Sequence, residues 1–101
     1  MMAGEVNGLY PTPSRRSLLR AIDEGHGRIY GEAGEAWDAS TAWKVSARVD
    51  EFLKHGWVRA LQWAEPRGPG EMPNPDPGRK PPRTYYRLTE LGRTALSRGQ
   101  R

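Results

Sequence analysis

The sequence predicts a single α+β domain, and three observations carry that prediction. The 101 residues, 36% of them hydrophobic, suffice for one small domain and exclude a multidomain enzyme. Apolar residues recur at spacings of three and four in segments bordered by capping residues, the mark of amphipathic helices. Short runs rich in Trp, Val, Tyr and Thr flank a proline-rich stretch and read as strands.

Residues 1–12 hold Gly4, Asn7, Gly8 and Pro11 without any apolar period and read as a flexible arm. A first helix begins near Pro13, with Ser14 as cap, Leu18, Leu19 and Ile22 on one face and Gly25 at its end. Residues 26–30 read as a short extended piece. Residues 31–37 fit a short second helix with Ala33, Ala36 and Trp37 inward, although Gly31 and Gly34 weaken it. The strongest helix spans residues 40–55. Asp38, Ser40 and Thr41 are its cap candidates, and Val45, Val49, Phe52 and Leu53 share one face. His55 suits the negative end of the helix dipole, and Gly56 the left-handed cap that follows it. Residues 57–65 read as a strand. Residues 66–82 hold seven of the nine prolines and three glycines, which makes a long loop. Thr84 to Leu88 (TYYRL) is an aromatic and β-branched strand with Tyr86 and Leu88 toward the core, and Thr89 can cap a last helix containing Leu91 and Leu96.

A three-helix unit followed by a hairpin with a long basic tip is the plan of a winged helix, here over residues 13–98 with the wing loop at 66–82. Two stretches carry a family resemblance. VSARVDEFLKHGWV (residues 45–58) is similar to the recognition-helix pattern of MarR and PadR regulators, V-x-x-x-V-D-x-L-x-x-x-G-L-V, with Phe52 and Trp57 in place of leucines. GRKPPRTYYRLTELGRTAL (residues 78–96) resembles the PadR wing ending, G-K-P-P-R-x-Y-Y-x-L-T-x-x-G-x-x-x-L. The resemblance implies a winged helix-turn-helix transcriptional regulator, with the helix at 40–55 in the major groove and the basic wing at 66–87 on the adjacent backbone or minor groove. Five residues follow Leu96 and about a dozen precede the first helix, so the dimerisation helices of those families, and the ligand pocket built beside them, are not expected.

Sixteen Lys and Arg against twelve Asp and Glu give +4, and a pI near 9.9 makes double-stranded DNA the first partner to consider. Thirteen of the basic residues are Arg, which suits bidentate contact with phosphate or guanine and equally follows from coding bias. From Arg79 onward seven basic residues face Glu90 alone, a net +6, whereas residues 21–38 carry five acids against Arg28, a net −4. An acidic second helix counts against generic DNA binding and offers a surface to a basic protein partner.

On the helix at 40–55, Lys44 and Arg48 stand either as readers of bases or phosphates or as charges on a solvated helix face. Thr41 reads either as a phosphate contact or as a cap, and Trp43 as packed beneath a neighbouring element or as an interface anchor. Arg79, Lys80 and Arg83 sit among prolines and read either as an extended wing in or along the minor groove or as a disordered loop that is basic by composition, and Arg15 and Arg16 at the first helix start are either a phosphate clamp or solvated. No enzyme is expected. His26 and His55 lie far apart, cysteine is absent, and no G-x-S-x-G or P-loop pattern occurs, so neither metal nor cofactor is expected. No apolar run reaches ten residues, which leaves no membrane span or signal core and makes the cytoplasm the expected compartment. The alternative function is a winged-helix protein-interaction module, and a weak homodimer is the expected oligomeric limit.

Overall fold

A computed structural model describes residues 4–25, 27–61, 65–66, 73–74 and 83–98, with the backbone alone at 65–66 and 73–74. Helix α1 (Pro13–Gly25) starts one residue after Thr12, whose Oγ1 accepts from Arg15 N at 3.4 Å while its carbonyl accepts from Arg16 N at 2.8 Å. The cap is therefore Thr12, not Ser14, and Pro13 takes the first helical position, where its missing N–H costs nothing. Leu19 and Ile22 are its buried residues.

The expected second helix at 31–37 is instead a β-hairpin, β1 (Ile29–Glu32) with β2 (Glu35–Asp38). Glu32 pairs with Glu35 across a two-residue turn, and Ala33 and Gly34 have φ of 54° and 81°. This pair of left-handed residues is what a type I′ turn requires. Gly31, which weakened the helix reading, is a strand position where a Cβ would come within 2.5 Å of the Tyr86 hydroxyl.

The helix expected at 40–55 is shorter at its start: α2 spans Ser46–Lys54, and β3 (Trp43–Lys44) pairs with β2 ahead of it. Asp38, Ser40 and Thr41 spend their capping groups on a turn. Asp38 Oδ1 accepts from both the amide and the hydroxyl of Ser40 at 2.9 Å, and the Asp38 carbonyl accepts from Ala42 N at 2.8 Å. Such side-chain bonds to nearby backbone compete with helix formation and win here. Val49 and Phe52 are buried as expected, while Leu53 is 40% exposed and belongs to the helix flank, a correction to the expected face. A helix-turn-helix unit is accordingly not formed among the described residues; a strand, not a helix, precedes α2.

Of the strand expected over 57–65, β4 (Val58–Ala60) is formed, Trp57 and Leu61 stand just outside it, and residues 62–64 lie outside the described residues. β5 (Glu65–Pro66), which starts at the last residue of that expected strand, pairs with β6 (Pro73–Asn74) inside the stretch expected as a long loop over 66–82, a two-residue ladder that prolines tolerate at strand edges. β7 (Thr84–Leu88) and α3 (Glu90–Arg98) follow as expected, with Gly92 N donating to Thr89 Oγ1 at 3.1 Å. The main sheet is antiparallel with order β3-β2-β1-β7-β4, so the last strand lies between the first and the fourth.

One face of this sheet carries the core. Ile29, Ala36, Val58 and Leu88 meet Leu19, Ile22, Val49, Phe52 and Ala95 from the helices, with Tyr86 packed at the margin. Trp57 is completely buried and stacks on Phe52 with ring centroids 5.4 Å apart, and α3 approaches its carbonyl so closely that only glycine fits at Gly92. The indole Nε1 of Trp57 donates to the Val6 carbonyl at 2.9 Å, and Val6 itself is buried. The arm expected over 1–12 is thus packed against the domain at Val6. The opposite sheet face presents Lys44, Trp37, Tyr30 and Tyr85 in one row across four strands.

Candidate nucleic-acid interface

Helix α2 begins where two strands hold it. Val45 N donates to the Ala36 carbonyl at 2.7 Å, and Ser46 Oγ accepts from Ala36 N at 2.8 Å, which pins the helix start to β2. Val45 in the cap position supplies no side-chain hydrogen bond, so the first-turn amides keep their donors. Around this end Arg15, Lys44, Val45, Ala47, Arg48 and Glu51 enclose a depression of about 480 Å³. Three predicted site residues, Arg15, Lys44 and Arg48, are brought together there from α1, β3 and α2.

Acidic partners hold each cation. Arg15 donates through Nε and Nη2 to the two Glu51 oxygens at 2.9 and 3.0 Å, and Arg48 Nη1 reaches Glu51 Oε1 at 3.1 Å. Lys44 Nζ lies 2.9 Å from Glu35 Oε2. The Arg15 hydrogen bonds hold Glu51 below the usual carboxylate range, and Lys44 does the same for Glu35. Three cations against two carboxylates leave a positive rim beside amides that point outward, an arrangement suited to accepting an anion by exchange with Glu51 or Glu35.

Thr41 Oγ1 accepts from Trp43 N at 3.2 Å, so its hydroxyl shapes the turn and caps no helix. Trp43 is 72% exposed on the edge strand and is not packed beneath a neighbour. Arg16 donates to the Pro11 carbonyl and stands apart from the depression. Arg83 lies elsewhere: its guanidinium is 3.8 Å from the Tyr30 ring centroid, with Nε 3.1 Å from Glu32 Oε1, on the face of the sheet away from the core. Arg79 and Lys80 lie outside the described residues.

Glu51 is the residue that sequence reasoning missed. Its spacing of three from Arg48 on a helix signals the nearer pair, whereas Arg15, 36 positions away, carries no local signal. A second cleft of about 300 Å³ opens between the hairpin end and α2, where burial and then Asp50 push the Tyr86 hydroxyl up in pKa. Among the described residues no group of three or more His, Cys, Asp and Glu is placed to hold a metal ion, and no helix is long and apolar enough to cross a membrane. No protein-family model matches the sequence, and no curated protein or solved structure matches it significantly.

Proposed function

We propose that the protein is a sequence-specific, winged-helix DNA-binding regulator that presents the N-terminal end of α2 to duplex DNA. The observation that carries this reading is the convergence of Arg15, Lys44 and Arg48 on a helix start whose amides have no side-chain cap. Phosphate contacts set register and base contacts set sequence, so Lys44 and the first-turn amides suit phosphate while Arg48, a turn further in, suits a base edge. The neighbourhood β1-β7-β4, with α2 entering β4 and the proline-rich stretch joining β4 to β7, is compatible with a winged helix in which a hairpin replaces the second helix. Thr41 lies in the turn before β3, and Trp43 is exposed on β3, next to Lys44 in sequence. The exposed Trp43 favours one second reading, docking of a protein partner on the β3 edge, because exposed tryptophans anchor protein interfaces.

The test is binding to duplex DNA selected from a random library, followed by anisotropy across a salt series. A linear fall of log affinity with log salt is expected. Arg48→Ala is expected to cost about 1 to 3 kcal/mol and to flatten preference at one base position, and Lys44→Ala to weaken all sequences and shallow the salt slope by about one. Wild-type affinity in both variants removes α2 as the reader. Absence of duplex binding, with a salt-insensitive protein complex lost in Trp43→Ala, establishes the second reading.

A further inference from the structure

We infer that Asn7 is a self-modifying site, whose hydrolysis to aspartate or isoaspartate releases the N-terminal segment from the domain. Residues 6–9 close on themselves as a two-residue turn. Val6 N donates to the Leu9 carbonyl at 2.9 Å and Leu9 N to the Val6 carbonyl at 3.3 Å, with Asn7 and Gly8 at φ of 50° and 85°. Asn-Gly is the pair that a turn with two left-handed residues prefers. The turn is docked on the end of α2, where Asn7 Nδ2 donates to the His55 carbonyl at 2.6 Å and His55 Nδ1 donates to the Asn7 carbonyl at 2.9 Å. Neither Asn7 nor Gly8 lines the α2 depression, so this inference is independent of the duplex reading.

The same pair is reactive. Gly8 has no side chain to shield its amide nitrogen, and both residues are exposed to water. On loss of its proton to hydroxide, that nitrogen attacks Asn7 Cγ. The new C–N bond closes a five-membered imide, the bond from Cγ to Nδ2 breaks, and ammonia leaves with a proton taken from water. Water then adds to one of the imide carbonyls and opens the ring, giving aspartate from one side and isoaspartate from the other. Water is the sole co-reactant, and nothing is oxidised or reduced. The other asparagine, Asn74, precedes Pro75, whose nitrogen has no proton to lose, so this route is closed there. Ring closure turns the Asn7 side chain toward Gly8 N and breaks its bond to His55, so the reaction runs from the undocked segment and its rate follows the population of that state.

The product cannot dock as before. A carboxylate at position 7 has no proton to donate to the His55 carbonyl, and it stands at the helix end where carbonyl oxygens already concentrate negative charge. Isoaspartate also lengthens the main chain by one atom, which a two-residue turn cannot absorb while Val6 still pairs with Leu9. The buried Val6 side chain, and the Val6 carbonyl that accepts from Trp57 Nε1, leave with the turn.

The full chain is incubated in warm, mildly alkaline buffer and followed by intact mass and peptide mapping. The mass gain of a single amide-to-acid conversion is expected, confined to the peptide that holds Asn7, with amide hydrogen exchange across residues 4–12 rising in the modified fraction alone. Val6→Ala, which loosens the docked segment, is expected to convert several-fold faster. Asn7→Gln, whose longer side chain closes its ring far more slowly, is expected to stay intact, and Asn7→Asp to reproduce the raised exchange without incubation. An unaltered mass in the chain after a free peptide of residues 4–12 has converted fully overturns the inference. So does a conversion confined to Gln62 or Gln100, or a modified chain in which residues 4–12 stay as protected as before.

Discussion

Asp38 shows how one side chain can organise three elements. It is 6% exposed, and its oxygens accept Arg28 Nε and Nη2 at 2.8 Å while also turning the chain at Ser40. These bonds, with that of Arg28 the largest influence, hold its pKa at about 2, below the ordinary 3.8. The folded state thus binds fewer protons than the unfolded chain between these values, so the stabilisation is complete above pH 4 and lost as the pH falls through about 2. Its size is about 1 to 2 kcal/mol once the partial exposure of Arg28 is allowed for. Urea denaturation of Asp38→Asn against the parent is expected to show that gap at pH 6 and its closure near pH 2. A gap independent of pH would assign the loss to the Ser40 turn instead of the Arg28 pair. Glu51, also held low by its arginines, steepens the acid slope in the parent and in the variant alike.

The β1–β2 hairpin is the element that separates what sequence reading reaches from what it does not. TYYRL, Thr89 and the Val49–Phe52 face were legible because strand composition, a capping hydroxyl and a helical repeat act within a few residues. Residues 31–37 were not legible, since Ala33, Ala36 and Trp37 also satisfy a short helical spacing. Strand alternation of Ile29, Gly31, Ala36 and Asp38 decides the matter only when β7 is alongside. At the candidate site, Lys44 and Arg48 were legible as outward cations, but the Glu51 clamp depends on α1 folding against α2. The turn itself is improvable. Ala33 pays for its left-handed φ of 54°, and Ala33→Asn creates the Asn-Gly pair that type I′ turns prefer. Stabilisation of about 0.5 to 1 kcal/mol is expected, a rise in Tm of roughly 3 to 6 °C by calorimetry. An unchanged or lower Tm would refute the turn type.

At the scale of the molecule, the N-terminal segment and Trp57 lock the two ends of the core together. Val6 fills a core position and its carbonyl satisfies the buried indole N–H, while Asn7 Nδ2 donates to the His55 carbonyl at 2.6 Å at the end of α2. Deleting residues 1–8 leaves a buried donor unpaired, at about 1 to 3 kcal/mol, and forfeits the burial of a valine, at about 1.5 to 2 kcal/mol. Domains of this size have roughly 5 to 15 kcal/mol in all. The truncated chain is therefore expected to melt at least 10 °C lower by circular dichroism, and a melt matching the full chain would show that Val6 contributes nothing.

The position of β7 between β1 and β4 also sets the order of events during synthesis. A chain leaving the ribosome produces the β1–β2 hairpin, α2 and β4 first, and none of these can close the sheet on another. Tyr30 waits for Tyr85 and Val58 for Leu88, so both inner strand edges stay unpaired until residues 84–88 have emerged. Docking of that one strand completes both ladders in a single step, so closure of the sheet waits on the emergence of residues 84–88.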